Sequence, residues 1–100
     1  MGLDIYLEDE FGEELDSLLD EDGALAAVWP YGNPSYPLLR FVDKEGTTLF
    51  NRPQLSAAAG EFAALESAVP PALKAAAQKL VRLAKKAASE PHLYLRFLGD

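Results

Sequence analysis

Apolar and polar residues alternate at both ends of the chain. Leu3, Ile5 and Leu7 interleave with Asp4, Tyr6 and Glu8, and Leu93, Leu95 and Phe97 interleave with His92, Tyr94 and Arg96. A period of two belongs to a strand with one buried face. The two runs mirror each other, each with a Tyr on its half-polar side, so both are expected in one sheet. Arg96 and Arg40 could then meet Asp4 or Glu8 across strands.

Between these runs the period changes. Phe11, Leu15, Leu18 and Leu19 fall at helical spacing among Glu10, Glu13, Glu14, Asp16 and Asp20, which predicts a short acidic helix closed by Asp22-Gly23, although Gly12 weakens it. Ala24 to Trp29 reads as a strand, with helix the alternative that its three alanines keep open. Residues 29 to 37 hold three prolines, a glycine and three aromatics, the composition of a rigid loop. From Tyr36, alternation around Arg40, a turn at Asp43-Lys44-Glu45-Gly46 and the run Thr47 to Phe50 predict a hairpin.

Asn51 opens a helix with a capping box to Gln54 and with Pro53 in the first turn, where its missing N–H costs nothing. Leu55, Ala58, Phe62, Leu65 and Val69 line its face until Pro70-Pro71. A second helix over residues 72 to 88 sets Leu73, Ala76, Ala77, Leu80, Leu83, Ala84 and Ala87 against Lys74, Gln78, Lys79, Arg82, Lys85 and Lys86. Its alanines predict close approach to whatever it packs on. The expected fold is α+β over residues 1–100 as a single domain. Its mainly antiparallel sheet of four to five strands includes both termini, two consecutive C-terminal helices pack on one face, and the short acidic helix lies near the N-terminus.

Charge changes the picture more than composition does. The net charge is −7, yet residues 1–39 carry ten acidic side chains and no Lys or Arg, whereas residues 40–100 carry nine basic and six acidic ones. The N-terminal third would repel a phosphate backbone, which weighs against nucleic-acid binding in general. Only the basic face of the last helix escapes that objection, and a solvated face is its ordinary reading. Without Cys there are no disulfides or thiolate sites, and no basic n-region or long apolar run addresses the chain to a membrane or export route. A cytoplasmic protein is expected.

Three segments carry a resemblance: Met1-Gly2-Leu3-Asp4-Ile5-Tyr6-Leu7; Pro37-Leu38-Leu39-Arg40 with Asp43, Gly46, Thr48 and Phe50-Asn51; and residues 92 to 100. Together, over about a third of the chain, they make it similar to a set of short uncharacterised bacterial proteins. The resemblance supports the fold expectation and transfers no functional residue.

Candidate chemistry is sparse. His92 is the only imidazole, so a zinc or copper site would need carboxylates almost alone. Aligning Gly23 with the glycine of a calcium loop leaves Leu18 and Trp29 where carboxylates are required. No serine lies in a nucleophile elbow and no glycine loop could cradle phosphate. Neither an enzyme nor a cofactor is expected. The strongest candidate is the cluster Asp9, Glu10, Glu13, Glu14, Asp16, Asp20, Glu21 and Asp22. Left without internal counterions, it would steer a cationic partner. Trp29, Tyr31 and Tyr36 are the residue types that anchor interfaces, unless Trp29 instead plugs the core. The expected role is a non-enzymatic module that binds a basic protein, most concretely an immunity protein or antitoxin masking a bacterial toxin. The alternative is a structural or regulatory subunit acting as a homodimer, and monomer or homodimer both remain open.

Overall fold

The computed structural model describes residues 2–100. Its centre is the pair formed by β1 (Leu3–Asp9) and β4 (Leu93–Gly99), antiparallel over their whole length from Leu3 opposite Gly99 to Asp9 opposite Leu93. The alternation at the two ends of the sequence therefore becomes one surface with a dry side. β2 (Glu14–Leu18) lies outside β1 and β3 (Thr47–Phe50) outside β4, giving the all-antiparallel order β2-β1-β4-β3.

The dry side meets the helices. Leu3, Ile5, Leu7, Leu93, Leu95, Phe97 and Phe50 join Leu55, Phe62, Leu80 and Leu83 in one core cluster. Phe97 sits at its middle, with the rings of Trp29 and Phe50 each 5.5 Å away. Burying one such side chain stabilises the fold by about 3 kcal/mol. The longest helix, α4 (Lys74–Ser89), packs on β4 and β2 after a 3-10 turn at Pro71–Leu73, and it turns Ala77, Ala84 and Ala87 inward. α1 (Ala24–Val28) contributes Leu25 to the core. α2 (Arg52–Ala57) and α3 (Ala59–Ala68) pack against α4.

The capping box forms as the sequence predicts. Asn51 Oδ1 accepts from the Gln54 N–H at 3.0 Å, and Gln54 Oε1 accepts from the Asn51 N–H at 2.9 Å. The expected single helix is divided at Ala58, whose backbone (φ −87°, ψ 1°) turns the axis while Leu55, Ala58, Phe62, Leu65 and Val69 all remain buried.

Three elements differ from the sequence expectation. The acidic helix is absent, and residues 9 to 18 form the β1–β2 hairpin. Asp9 Oδ1 accepts from the N–H groups of Phe11 and Glu13 at 2.9 and 3.0 Å, and Gly12 takes φ 77° to close the turn. A bulge between Leu7 and Glu8 then adjusts the pairing. Residues 24 to 28 are helical rather than extended. The Asp20 carboxylate accepts from the N–H groups of Leu25 and Ala26 at 2.9 and 2.8 Å, satisfying free donors of the first turn.

Leu39–Phe41 is a 3-10 turn and not a strand. The N–H groups of Leu38 and Leu39 both reach Glu61 Oε1 at 2.9 Å, and Phe41 faces solvent. The predicted turn survives, with the Glu45 N–H on Asp43 Oδ1 and the Asp43 N–H on Thr48 Oγ1, both at 2.9 Å. It does not join two paired strands, because β3 pairs with β4 alone. The end of β4 lies against the backbone of this turn. The Gly99 N–H donates to Gly46 O at 2.8 Å, and a Cβ on Gly99 would collide with the Lys44 carbonyl.

Candidate functional site

The eight carboxylates singled out in the sequence are distributed along the β1–β2 hairpin and the segment that leads into α1. Five of them are occupied within the protein. Asp9 closes the hairpin turn. Glu10 Oε2 is 3.5 Å from Nδ1 of His92. Asp22 Oδ1 accepts from the Ala24 N–H at 3.1 Å.

Asp20 is buried. Besides its two bonds to α1 it accepts from the Leu3 N–H at 3.0 Å, while its own N–H donates to Asp4 Oδ1 at 2.8 Å. One carboxylate thereby fastens the start of β1 to the start of α1. Asp16 accepts from the Ser17 N–H at 2.8 Å and lies 3.4 Å from Lys79 Nζ. The Ser17 amide first, then Lys79 and Arg82, hold its carboxyl below the ordinary value of 3.8.

The expectation that this cluster lacks internal counterions is therefore corrected. The turn and the start of α1 engage Asp9, Asp20 and Asp22 through backbone N–H groups, which orient these carboxylates and leave their charge in place, and Lys79 of α4 is the counterion of Asp16. Among the described residues Glu13, Glu14 and Glu21 have exposed side chains without an ion pair or hydrogen bond. Beside them stand Phe11, Leu15 and Leu19, which are 86, 50 and 53 % exposed. The helical periodicity assigned those residues to a buried face, so their value as a surface was missed. Gly12 between Phe11 and Glu13 was the signal for a turn that would turn them outward.

The aromatic loop behaves differently from its expected anchoring role. Trp29 is core: it is 4 % exposed, packs against Phe97, and donates from Nε1 to Leu39 O at 3.0 Å. Tyr31 and Tyr36 are half-buried and pack on the core from outside. They share with Val28, Asn33 and Val69 a shallow depression of about 370 Å³ on the far side of the loop. The Tyr31 hydroxyl is buried without a hydrogen-bond partner among the described residues. Burial, then the charge of Asp20, push its pKa above 10.0.

The cations are also placed. Arg96 Nε donates to Glu8 Oε2 at 2.7 Å and the guanidinium lies 4.6 Å from the Tyr6 ring centroid, the cross-strand contact that alternation predicted. Arg40 makes no such contact, because the 3-10 turn carries it away from the sheet and over the ring of Phe41. On α4, Lys74 Nζ donates to the Glu66 and Ser67 carbonyls at the end of α3, and Lys86 pairs with Glu90.

Among the described residues no group of three His, Cys, Asp or Glu side chains is placed to hold a metal ion, and no helix is long and apolar enough to cross a membrane. Comparison of the chain with protein-family models, with curated proteins and with solved structures found no match.

Proposed function

We propose that this protein is a non-enzymatic binding module that engages a basic protein through its β1–β2 hairpin. One observation carries the reading: the exposed apolar residues Phe11, Leu15 and Leu19 lie in the same stretch as Glu13, Glu14 and Glu21, whose carboxylates have no partner among the described residues. Exposed apolar side chains supply the area that a charge patch lacks, and uncompensated carboxylates favour a cationic partner over a neutral one. The docking surface is narrower than the sequence cluster. Asp9, Asp20 and Asp22 hold backbone amides and Trp29 fills the core, so none of these four would be spent on binding. An immunity protein or antitoxin covering the cationic site of a toxin is the most concrete form of such a module.

A photo-crosslinking residue in place of Leu15, in cells that make the protein, tests the reading. The expected product is an adduct with a basic protein. It disappears when Glu13→Lys and Glu14→Lys are combined, and it weakens as salt rises from about 0.1 M to about 0.5 M. An adduct indifferent to both changes, or formed equally from position 63 on α3, rejects it.

A second reading, a homodimeric structural or regulatory subunit, is favoured by the two open edges of the sheet at β2 and β3. Sedimentation over a wide concentration range separates the two, since only the subunit stays dimeric at high dilution.

A further inference from the structure

We infer that the uncovered face of the sheet is where the partner sits, and that the partner presents a basic amphipathic helix to it. The inference rests on the hairpin reading and extends it to a second layer. α4 covers one face of the sheet through β4 and β2. The other face carries the residues that alternate with the buried ones. Across its middle, Tyr6 of β1 stands opposite Arg96 of β4, which stands opposite Leu49 of β3. Tyr94 and Glu8 form the neighbouring row, with Glu14 of β2 opposite Glu8.

The shape and the charge of this face select its occupant. Four strands spaced about 4.8 Å apart set the outer two roughly 14 Å from each other, and a helix with its side chains is about 10–12 Å across. One helix fits the span. Leu49 is 52 % exposed and Tyr94 half-buried, so an apolar stripe has something to rest on. The cation on the face, Arg96, is already held by Glu8 and stacked on Tyr6, while Glu14 has no counterion among the described residues. The remaining charge is negative, which calls for Lys or Arg on the incoming helix.

Continuity with the hairpin supports the same partner. A depression of about 340 Å³ joins the face to the β1–β2 turn, lined by Leu49 and Tyr94 from the face and by Glu10 and Gly12 from the turn. A Lys or Arg side chain suits that lining, an apolar stem ending in a charge.

The probe is a synthetic 18-residue helix of Leu and Lys, titrated into the isotopically labelled protein and followed by amide chemical shifts. Shifts centred on Tyr6, Leu49, Tyr94 and Arg96 are expected, with affinity falling at least tenfold when Leu49→Glu and Tyr94→Ala are combined. Both side chains lie outside the core, and the amide spectrum of the free double variant verifies its fold. Shifts confined to residues 10 to 21, with the double variant binding normally, overturn the face and leave the hairpin reading standing. Shifts on α4, or none, overturn both for a basic helix. Concentration-dependent shifts on the same face without peptide would assign it to a second copy of this chain instead.

Discussion

The carboxylate of Asp16 stands 3.4 Å from Nζ of Lys79, tying the outer edge of the sheet to the basic face of α4. Half the acid side chain and about a third of the lysine remain exposed, so solvent screens the pair and its worth is limited to a few tenths of a kcal/mol. The contact still decides where charge is free. It gives Asp16 a partner of its own, whereas among the described residues Glu13 and Glu14 are the acids of the hairpin without one.

The same contact has a pH signature. The Ser17 amide, Lys79 and Arg82 keep the Asp16 carboxyl below its ordinary value of 3.8, so the folded state binds this proton less readily than the unfolded chain. The stability it contributes is complete above that ordinary value and is lost as pH falls through the lower, folded one. Asp16→Asn is expected to cost about 0.5 kcal/mol at neutral pH and to flatten the acid limb below about pH 4. Urea denaturation between those conditions measures both, and an acid limb as steep as that of the parent rejects the account.

Asp20 carries a larger consequence. Its carboxylate accepts from Leu3, Leu25 and Ala26, and it is 7 % exposed, so Asp20→Ala leaves three amides short of a partner at the junction of β1 and α1. Each unsatisfied buried donor costs about 1–3 kcal/mol, reduced where water can reach it, and a total loss of about 3 kcal/mol is expected. Asp20→Asn keeps an acceptor oxygen and should lose about half as much. Denaturant midpoints rank the three proteins. An Asn variant as weak as the Ala variant would place the stabilisation in the charge and not in the hydrogen bonds.

These residues also show what a linear reading could reach. β1, β4 and the Asn51 cap were legible because each is specified within a few neighbours, by alternation or by one reciprocal pair of side-chain bonds. The hairpin was not, because Phe11, Leu15 and Leu19 fall at helical spacing by coincidence and are all at least half exposed. Periodicity signals burial only when the apolar residues are in fact buried. Leu39–Phe41 failed for a different reason: its N–H groups are claimed by Glu61, which lies 22 positions away from Leu39. The shrinkage of the acidic site has the same origin, since Asp16 and Asp20 find their partners at Lys79 and Leu3 through tertiary structure alone.

Tyr31 offers a substitution that should improve the protein. Its hydroxyl is buried with no hydrogen-bond partner among the described residues, so Tyr31→Phe removes a desolvated polar group and keeps the ring. A gain of about 0.5–1 kcal/mol at neutral pH is expected. Because burial and Asp20 raise the phenol's pKa above 10.0, the parent loses stability as pH climbs from that value towards the folded one, and the Phe variant loses less. Denaturation at neutral pH and again above pH 10 gives both differences. A Phe variant less stable at neutral pH would show that the hydroxyl makes a favourable contact after all.

His92 sets backbone strain against a surface contact. It begins the turn into β4 with φ 65°, and it is the one non-glycine with positive φ among the described residues. A side chain in that region costs about 1 kcal/mol relative to glycine. In return, its Nδ1 lies 3.5 Å from Glu10, with the imidazole 69 % exposed, a contact too solvated to offset the strain. His92→Gly is therefore expected to stabilise the protein by about 0.5 kcal/mol once the added freedom of the unfolded chain is counted. His92→Ala, which loses the contact and keeps the strain, should change stability by no more than a few tenths. Urea midpoints of the two variants separate the contributions. If the Gly variant proves less stable than the parent and the Ala variant falls with it, the link from the start of β4 to the β1–β2 turn outweighs the backbone, and His92 is there to hold the hairpin in place.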